Sequence, residues 1–158
     1  MARSPLLTQR QQAALVVVDV QDRLWPAMDR KEALLQNVLR LTKGAGVLGI
    51  PITVTEQYRK GLGATVAELA ATVPGFSPLE KLAFSACGAD GFIEGLRSQQ
   101  VRDVMLCGIE AHVCVSQTCL DLLSEGFGCL SLPTRWGHER RRITKPASSA
   151  CRPPAGCS

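Results

Sequence analysis

Short apolar runs rich in β-branched residues recur along the chain between Ala13 and Leu132. Runs of this length and composition are typical of strands buried on both faces, as in a parallel sheet. The pattern predicts four strands, which are AALVVVD (13–19), ITVTE (52–56), DVMLCGI (103–109) and FGCLSL (127–132).

Between these runs, apolar residues recur at helical spacing. The pattern predicts helices over residues 31–48, near 65–70, over 92–100 and over 115–126. Strands that alternate with helices are joined by right-handed crossovers. The sequence therefore predicts an α/β fold, a three-layer doubly wound sheet that is mainly parallel.

The regular pattern ends after Leu132, and the composition changes there too. Of the 18 Lys/Arg and 14 Asp/Glu in the chain, the segment 134–158 holds 6 Lys/Arg and only Glu139, so the basic excess lies in that segment. A chain of 158 residues has room for one domain. We predict a flexible N-terminus over residues 1–12, one domain over 13–133, and a basic, disordered tail over 134–158.

The tail does not predict a nucleic-acid partner, because it lacks interleaved aromatic residues and a known reading motif. A membrane partner is not predicted either, since no apolar run approaches the roughly 20 residues that a spanning helix needs.

Seven cysteines leave at least one thiol unpaired within the chain. No signal peptide is predicted, and Cys107, Cys119 and Cys129 have apolar neighbours, as small buried hydrophobic residues do. We therefore expect a reduced, intracellular protein, placed in the cytoplasm with the nucleus and the mitochondrion as alternatives.

Two charged residues stand at positions of chemical interest. Asp19 closes the first predicted strand, and open α/β sheets bind ligands at the carboxyl ends of their strands. Asp19 is also suited to capping the turn that follows. Lys81 lies in the apolar context LEKLAF, and considered alone it is typical of an exposed lysine.

Cys114 follows the third predicted strand and begins the last predicted helix. The helix dipole and the unpaired backbone N–H groups at that end favour a thiolate over a thiol. The same N–H groups could hold a developing oxyanion. A buried, unreactive cysteine fits the local sequence equally well.

Two segments suggest a nucleotide site or a metal site, but neither has the sequence context that such a site requires. GAGVLG (44–49) matches a dinucleotide fingerprint, but it follows a helix instead of a strand. His112 has Cys107, Cys114 and Cys119 nearby, yet the segment lacks the close ligand pairs of a structural zinc site. No metal and no cofactor are predicted.

Three segments taken together resemble the isochorismatase-like (cysteine) hydrolase superfamily. They are VVDVQDRLW, EKLAFSAC and LCGIEAHVCVSQTCLDLL, in that order, within residues 13–133. The resemblance implies that Asp19, Lys81 and Cys114 form a catalytic triad. It also implies a cis peptide between Ile109 and Glu110, with the backbone N–H groups of Glu110 and Cys114 as the oxyanion hole.

The implied reaction is hydrolysis of a small amide-like C–N bond through a thioester on Cys114. Asp19 would take the thiol proton and return it to the leaving group, while Lys81 would favour the thiolate. Isochorismate-cleaving members do not need this thiol, so Cys114 favours amidase chemistry. The implied partner is a small-molecule substrate.

Departures from the family pattern narrow these expectations. Nicotinamidases place an Asp/His metal cluster after the second strand, where this chain reads TEQYRKGLG without a histidine. Several relatives line the pocket with an aromatic residue where Leu24 stands, and we expect Trp25 to take over that surface. The substrate is left open.

The C-terminus departs further, because the family continues after the fourth strand with a helix and usually an edge strand. The expectation is a fold truncated at its C-terminus, as in an isoform with an alternative splice or frame-shifted end. Two alternatives to an active hydrolase follow. One is a catalytically impaired isoform that binds a protein partner, and the other is a reactive-thiol redox protein. A homo-oligomer is compatible with each.

Overall fold

A computed structural model of the protein describes residues 7–28, 30–109 and 111–132, together with the backbone of residues 142–143. Within these residues one sheet has the strand order β3-β2-β1-β4-β5-β6. The strands are β1 (Ala13–Val18), β2 (Ile52–Gln57), β3 (Leu79–Lys81), β4 (Asp103–Gly108), β5 (Gly128–Ser131) and β6 (Arg142–Ile143). Strands β1 to β5 are parallel, and β6 is antiparallel to β5. The predicted mainly parallel sheet is confirmed.

The helices lie in the connections between these strands. They are α1 (Lys31–Leu48), α2 (Arg59–Leu62), α3 (Ala67–Ala70), α4 (Phe92–Ser98) and α5 (Ser116–Ser124). The helix predicted over residues 31–48 is confirmed at both ends, and Gly49 terminates it by adopting a left-handed conformation. Within the described residues, no helix is long and apolar enough to cross a bilayer.

Strand β1 lies in the middle of the sheet and buries all six of its side chains. Ala14, Val16 and Val18 face one apolar cluster, which also contains Leu96 from α4 and Leu122 from α5. The alternate residues of β1 face a second cluster that includes Val38 of α1 and Leu69 of α3. Helices therefore cover both faces, which confirms the three-layer architecture.

Two strands were not predicted. The sequence assigned no strand to LEKLAFSA, where β3 pairs with the end of β2. A three-residue strand with Leu79 as its single apolar side chain is too short to show a period of two. In the tail predicted to be disordered, the backbone of Arg142–Ile143 pairs with Cys129 and Leu130 of β5. The other residues of the segment 134–158 lie outside the described residues.

The order of the strands places a topological switch point at the centre of the sheet. From β1 the chain moves outward through β2 to β3, and then crosses over to β4 on the other side of β1. In open α/β sheets the ligand crevice lies at such a point, outside the carboxyl ends of the strands. Here those ends are Val18 and Gly108, which are directly paired.

Candidate active site

Asp19 is the first residue after β1, and it is fully buried. Its φ of 56° lies in the left-handed region, which turns the chain away from the strand direction. One carboxylate oxygen, Oδ1, accepts a hydrogen bond of 2.7 Å from the hydroxyl of Thr55 on β2. Thr55 is the partner of Val18 in the β1–β2 register, so the hydroxyl lies beside the carboxylate.

Lys81 is the last residue of β3, and its side chain has no exposed surface. Its Nζ lies 2.7 Å from Oδ2 of Asp19, a contact between residues 62 positions apart. The local sequence favours an exposed lysine, and the structure shows the reverse. The ammonium is buried because charged and polar partners from other segments replace its water.

The partners of the ammonium come from three segments. Besides Asp19, Nζ donates to Oε1 of Gln57 at 2.7 Å and to the carbonyl oxygen of Phe84 at 3.0 Å. The carbonyl oxygen of Ala83 lies 3.3 Å away. An ammonium has three N–H groups, so protein acceptors at short distance use all of them. Lys81 thus acts as a fixed charge rather than as a donor with a free proton.

Two glutamines support this arrangement. Gln21 is fully buried, and its side-chain amide brackets the backbone of Gln57. Its Oε1 accepts from the Gln57 N–H at 2.7 Å, and its Nε2 donates to the Gln57 carbonyl at 3.0 Å. A further bond of 2.7 Å from Nε2 to the carbonyl of Gly63 ties the following loop to the same amide.

Cys114 lies on the segment that follows β4, across the switch point from Asp19. Residues Ala111–Val115 form a π-helical turn that leads directly into α5. The helix predicted from residue 115 thus begins at Ser116 and is preceded by a wider turn that contains Cys114. Such turns are rare in proteins, and those that occur are often found at functional sites. Cys114 is 5% exposed and packs within the apolar cluster that contains Leu96 of α4 and Leu122 of α5.

Thr118 connects the Cys114 segment with the Lys81 segment. Its hydroxyl donates to the Cys114 carbonyl at 2.7 Å and accepts from the Ala86 N–H at 2.9 Å. Ala86 follows Lys81 closely, in the turn after β3. Because Thr118 is fully buried, water cannot replace either hydrogen bond.

The structure describes some of the other predicted site positions and not others. Leu24 and Trp25 lie on the loop after Asp19 and are half-buried against the apolar cluster that contains Val38 of α1. Their role in a substrate pocket stays a prediction. Glu110 lies outside the described residues, and so do the predicted cis peptide and the oxyanion-hole N–H of Glu110. Just before it, the Ile109 N–H donates to the Val18 carbonyl at 3.2 Å.

Three of the other described cysteines behave as core residues. Burial raises the pKa of the Cys107 thiol to about 12. A hydrogen bond from the Cys129 thiol lowers the pKa of Cys119 and raises that of Cys129. None of the five cysteines in the described part of the chain forms a disulfide. No group of three or more His, Cys, Asp or Glu side chains suited to a metal occurs among the described residues.

Sequence reasoning missed the supporting residues Thr55, Gln57 and Thr118. Thr55 had a usable signal, since a polar residue at the end of a strand next to β1 must lie near Asp19 once the strand order is known. Thr118 follows Cys114 at the spacing for a hydroxyl that bonds back to a helical carbonyl one turn earlier. Gln57 had no local signal, because its partner Lys81 lies on a strand that was not predicted.

Comparison with known families gives one match that covers most of the chain. The family model described as Isochorismatase domain matches residues 13–132. The match begins at β1 and ends just after β5, so it spans Asp19, Lys81 and Cys114.

Individual relatives agree with this match. The chain is 42% identical over 110 residues to isochorismatase domain-containing protein 1 of Salmo salar, covering 69% of this chain and 38% of that protein. It is 38% identical over 116 residues to human isochorismatase domain-containing protein 2, covering 73% of this chain and 55% of the relative. The chain thus spans well under two thirds of the length of these curated relatives.

A solved structure with similar sequence supports the fold. The structure of a Caenorhabditis elegans protein named MAR1 ribonuclease superposes with a TM-score of 0.75 at 36% identity. The superposition covers 80% of this chain and 65% of the other.

Proposed function

This chain belongs to the Isochorismatase domain family, and on that premise we propose that it is a cofactor-free cysteine hydrolase. In this proposal Cys114 is the nucleophile, Asp19 is the general base and acid, and Lys81 is a fixed positive charge. The substrate is a small amide whose C–N bond is cleaved through a thioester. A metal has no part in it, because the segment TEQYRKGLG offers no histidine ligand.

One observation carries the proposal, and it is the buried ion pair between Asp19 and Lys81 at the switch point. Burying two charges is costly, and an apolar pair of similar size would often be as stable. A pair in this position therefore serves chemistry better than it serves stability. Asp19 follows β1, which pairs with β4, and the chain continues from the end of β4 to Cys114.

The carboxylate of Asp19 has acceptor capacity left for a proton. Each carboxylate oxygen accepts one described hydrogen bond, from Thr55 or from Lys81, and each can accept a second. In the first half-reaction Asp19 accepts the thiol proton while the Cys114 sulfur attacks the carbonyl carbon. The C–N bond then breaks, and Asp19 returns the proton to the leaving nitrogen.

The second half-reaction releases the acid. Asp19 accepts a proton from water as the water oxygen attacks the thioester carbonyl. The C–S bond breaks, the proton returns to the sulfur, and the products are a carboxylic acid and the free thiol. Lys81 balances the charge of Asp19 throughout, since its own N–H groups are already used.

The proposal is tested by screening small amides with the full chain, Cys114→Ala and Cys119→Ala. We expect ammonia or amine release with the full chain and with Cys119→Ala, and none with Cys114→Ala. Mass spectrometry of the intact protein should detect an acyl group on Cys114. Cys119 is a matched control because it is a buried cysteine of the same cluster.

Two outcomes would reject the hydrolase. Amide cleavage that persists in Cys114→Ala would exclude this cysteine as the nucleophile. A folded chain without turnover or acylation across the screen would favour the non-catalytic interaction protein. Because one relative is named a ribonuclease, RNA is included as a substrate, and RNA cleavage without amide cleavage would also overturn the proposal.

A further inference from the structure

The surroundings of Lys81 contain a residue that the family resemblance did not assign to the site. Among the acceptors of its ammonium, Gln57 is the only side chain other than Asp19 within the described residues. The two acceptor distances are equal, at 2.7 Å. Asp19 and Gln57 therefore fix the direction of two of the three N–H bonds of the ammonium.

Gln57 is itself held at every polar atom. Its Nε2 donates to the Leu82 carbonyl at 2.7 Å, which sets which end of the amide faces Lys81. Its backbone N–H and carbonyl are both bonded to the amide of Gln21. An acceptor fixed in this way stays in place when the charge on Asp19 changes during turnover.

We propose that Gln57 is a positioning residue that holds the Lys81 ammonium against Asp19. The inference rests on the proposed hydrolase function and adds a residue to its machinery. Gln57 does not touch the reacting atoms, and it acts through the lysine. Without its oxygen, the ammonium would lose an acceptor in a buried place and turn toward its remaining carbonyl partners.

The neutrality of the amide matters as much as its geometry. A carboxylate at position 57 would give Lys81 two anionic partners, and the ammonium would be shared between them. Asp19 would then lose part of the charge that balances it. A carboxylate would also face the Leu82 carbonyl with an acceptor where the amide presents a donor.

The test uses Gln57→Met, which keeps the length of the side chain without the acceptor, and Gln57→Glu. Gln36→Met is the matched control, because Gln36 is exposed on α1. With an amide that the full chain cleaves, we expect Gln57→Met to lower kcat by about 10- to 100-fold, the usual effect of a lost bond to a charged group. KM should stay within about twofold, and Gln36→Met should match the wild type.

Gln57→Glu provides a readout that a merely structural role would not move. Its charged contacts are Lys81 on β3 and, through Lys81, Asp19 at the end of β1. At neutral pH the new carboxylate competes with Asp19, so kcat should fall at least as far as in Gln57→Met. As the pH falls and the new group takes a proton, the ratio of its kcat to that of the wild type should rise. The ratio for Gln57→Met should not change with pH.

A measurement independent of turnover separates this inference from the hydrolase proposal. The ¹H–¹⁵N signal of the Lys81 ammonium, identified by its loss in Lys81→Arg, should shift in both Gln57 variants and not in Gln36→Met. If no amide is cleaved but the signal shifts, Gln57 holds the Lys81 ammonium and it is the hydrolase proposal that fails. If Cys114-dependent cleavage occurs but neither kcat nor the signal changes in Gln57→Met, the inference is wrong.

Discussion

The left-handed backbone at Asp19 has a cost and a use. A side chain in this region is strained by roughly 1–2 kcal/mol, although aspartate tolerates it better than most residues. The turn lets the carboxylate meet Thr55 and Lys81, while the Asp19 carbonyl accepts from the Gln21 N–H at 2.8 Å. The residue that carries the charge is thus also the residue that starts the supporting loop.

The ion pair gives a prediction about stability. Lys81→Met leaves the buried Asp19 carboxylate without its cation, and we expect it to lower the free energy of unfolding by about 3–5 kcal/mol. Adding Asp19→Asn removes the orphaned charge, so the double variant should regain much of that loss. Urea denaturation of the wild type, both single variants and the double variant measures the coupling.

An additive result in this cycle would contradict the prediction. If the proposed mechanism holds, the double variant should also lack activity, because it recovers the balance of charge without recovering the proposed base. Stability and catalysis are therefore expected to separate at this pair.

At the scale of single residues, the sequence identified the charges but not their surroundings. The places of Asp19 and Cys114 relative to the predicted strands are visible in a local pattern. That pattern fits a structural role equally well, and only the family resemblance implied a catalytic one. The burial of Lys81 was not visible, because its acceptors Asp19 and Gln57 precede it by 62 and 24 residues. Long-range polar contacts leave no period in the sequence.

At the scale of elements, the seam between β1 and β4 brings the two sides of the site together. Gly108 ends β4 opposite Val18, and a Cβ added to it would overlap the Val18 carbonyl oxygen. Its φ of 150° also lies in a region that side chains rarely adopt. The close approach of these two strands thus requires glycine at position 108.

We expect Gly108→Ala to destabilise the fold by about 2–3 kcal/mol, the usual cost of overpacking or a strained backbone, and to lower kcat because the seam must open. Gly44→Ala is the matched control, since its Cβ would meet no atom within 4 Å on helix α1. That change should stabilise the protein by about 0.5–1 kcal/mol. Denaturant midpoints measure both effects, and equal midpoints for the two variants would refute the role of the seam.

The long elements were predictable, whereas two of the short ones, β3 and α2, were not. β1 and α1 are long enough for six buried residues and a full helical period to appear in the sequence. β3 and α2 have three and four residues, which is too short for any period. The π-helical turn at Cys114 differs from an α-helix in its hydrogen bonds, and the apolar spacing does not record that difference.

At the scale of the whole molecule, the buried thiol of Cys107 links stability to pH. Burial raises the pKa of this thiol to about 12 in the folded state, from the ordinary value of 9.0. Between these values the unfolded chain loses the proton and the folded chain keeps it, so alkali favours unfolding. The stabilising contribution is complete below about pH 9 and is lost as the pH rises toward 12.

We therefore expect the wild type to lose stability more steeply than Cys107→Ala above pH 9. The difference in slope should approach one proton, or about 1.4 kcal/mol per pH unit. Val54→Ala is a suitable control because it removes a non-titrating side chain from the same apolar cluster. A slope in Cys107→Ala equal to that of the wild type would exclude this thiol as the cause.

The order of the elements along the chain also sets the order in which the ribosome synthesises the parts of the site. The half of the sheet formed by β1, β2 and β3 contains both partners of the Asp19–Lys81 pair, and the segment with Cys114 follows β4 later in the chain. At a synthesis rate of about 5–20 residues per second, the interval between Lys81 and Cys114 lasts a few seconds. Both residues of the charged pair are thus synthesised before the proposed nucleophile, which leaves a few seconds for the pair to form before Cys114 joins the chain.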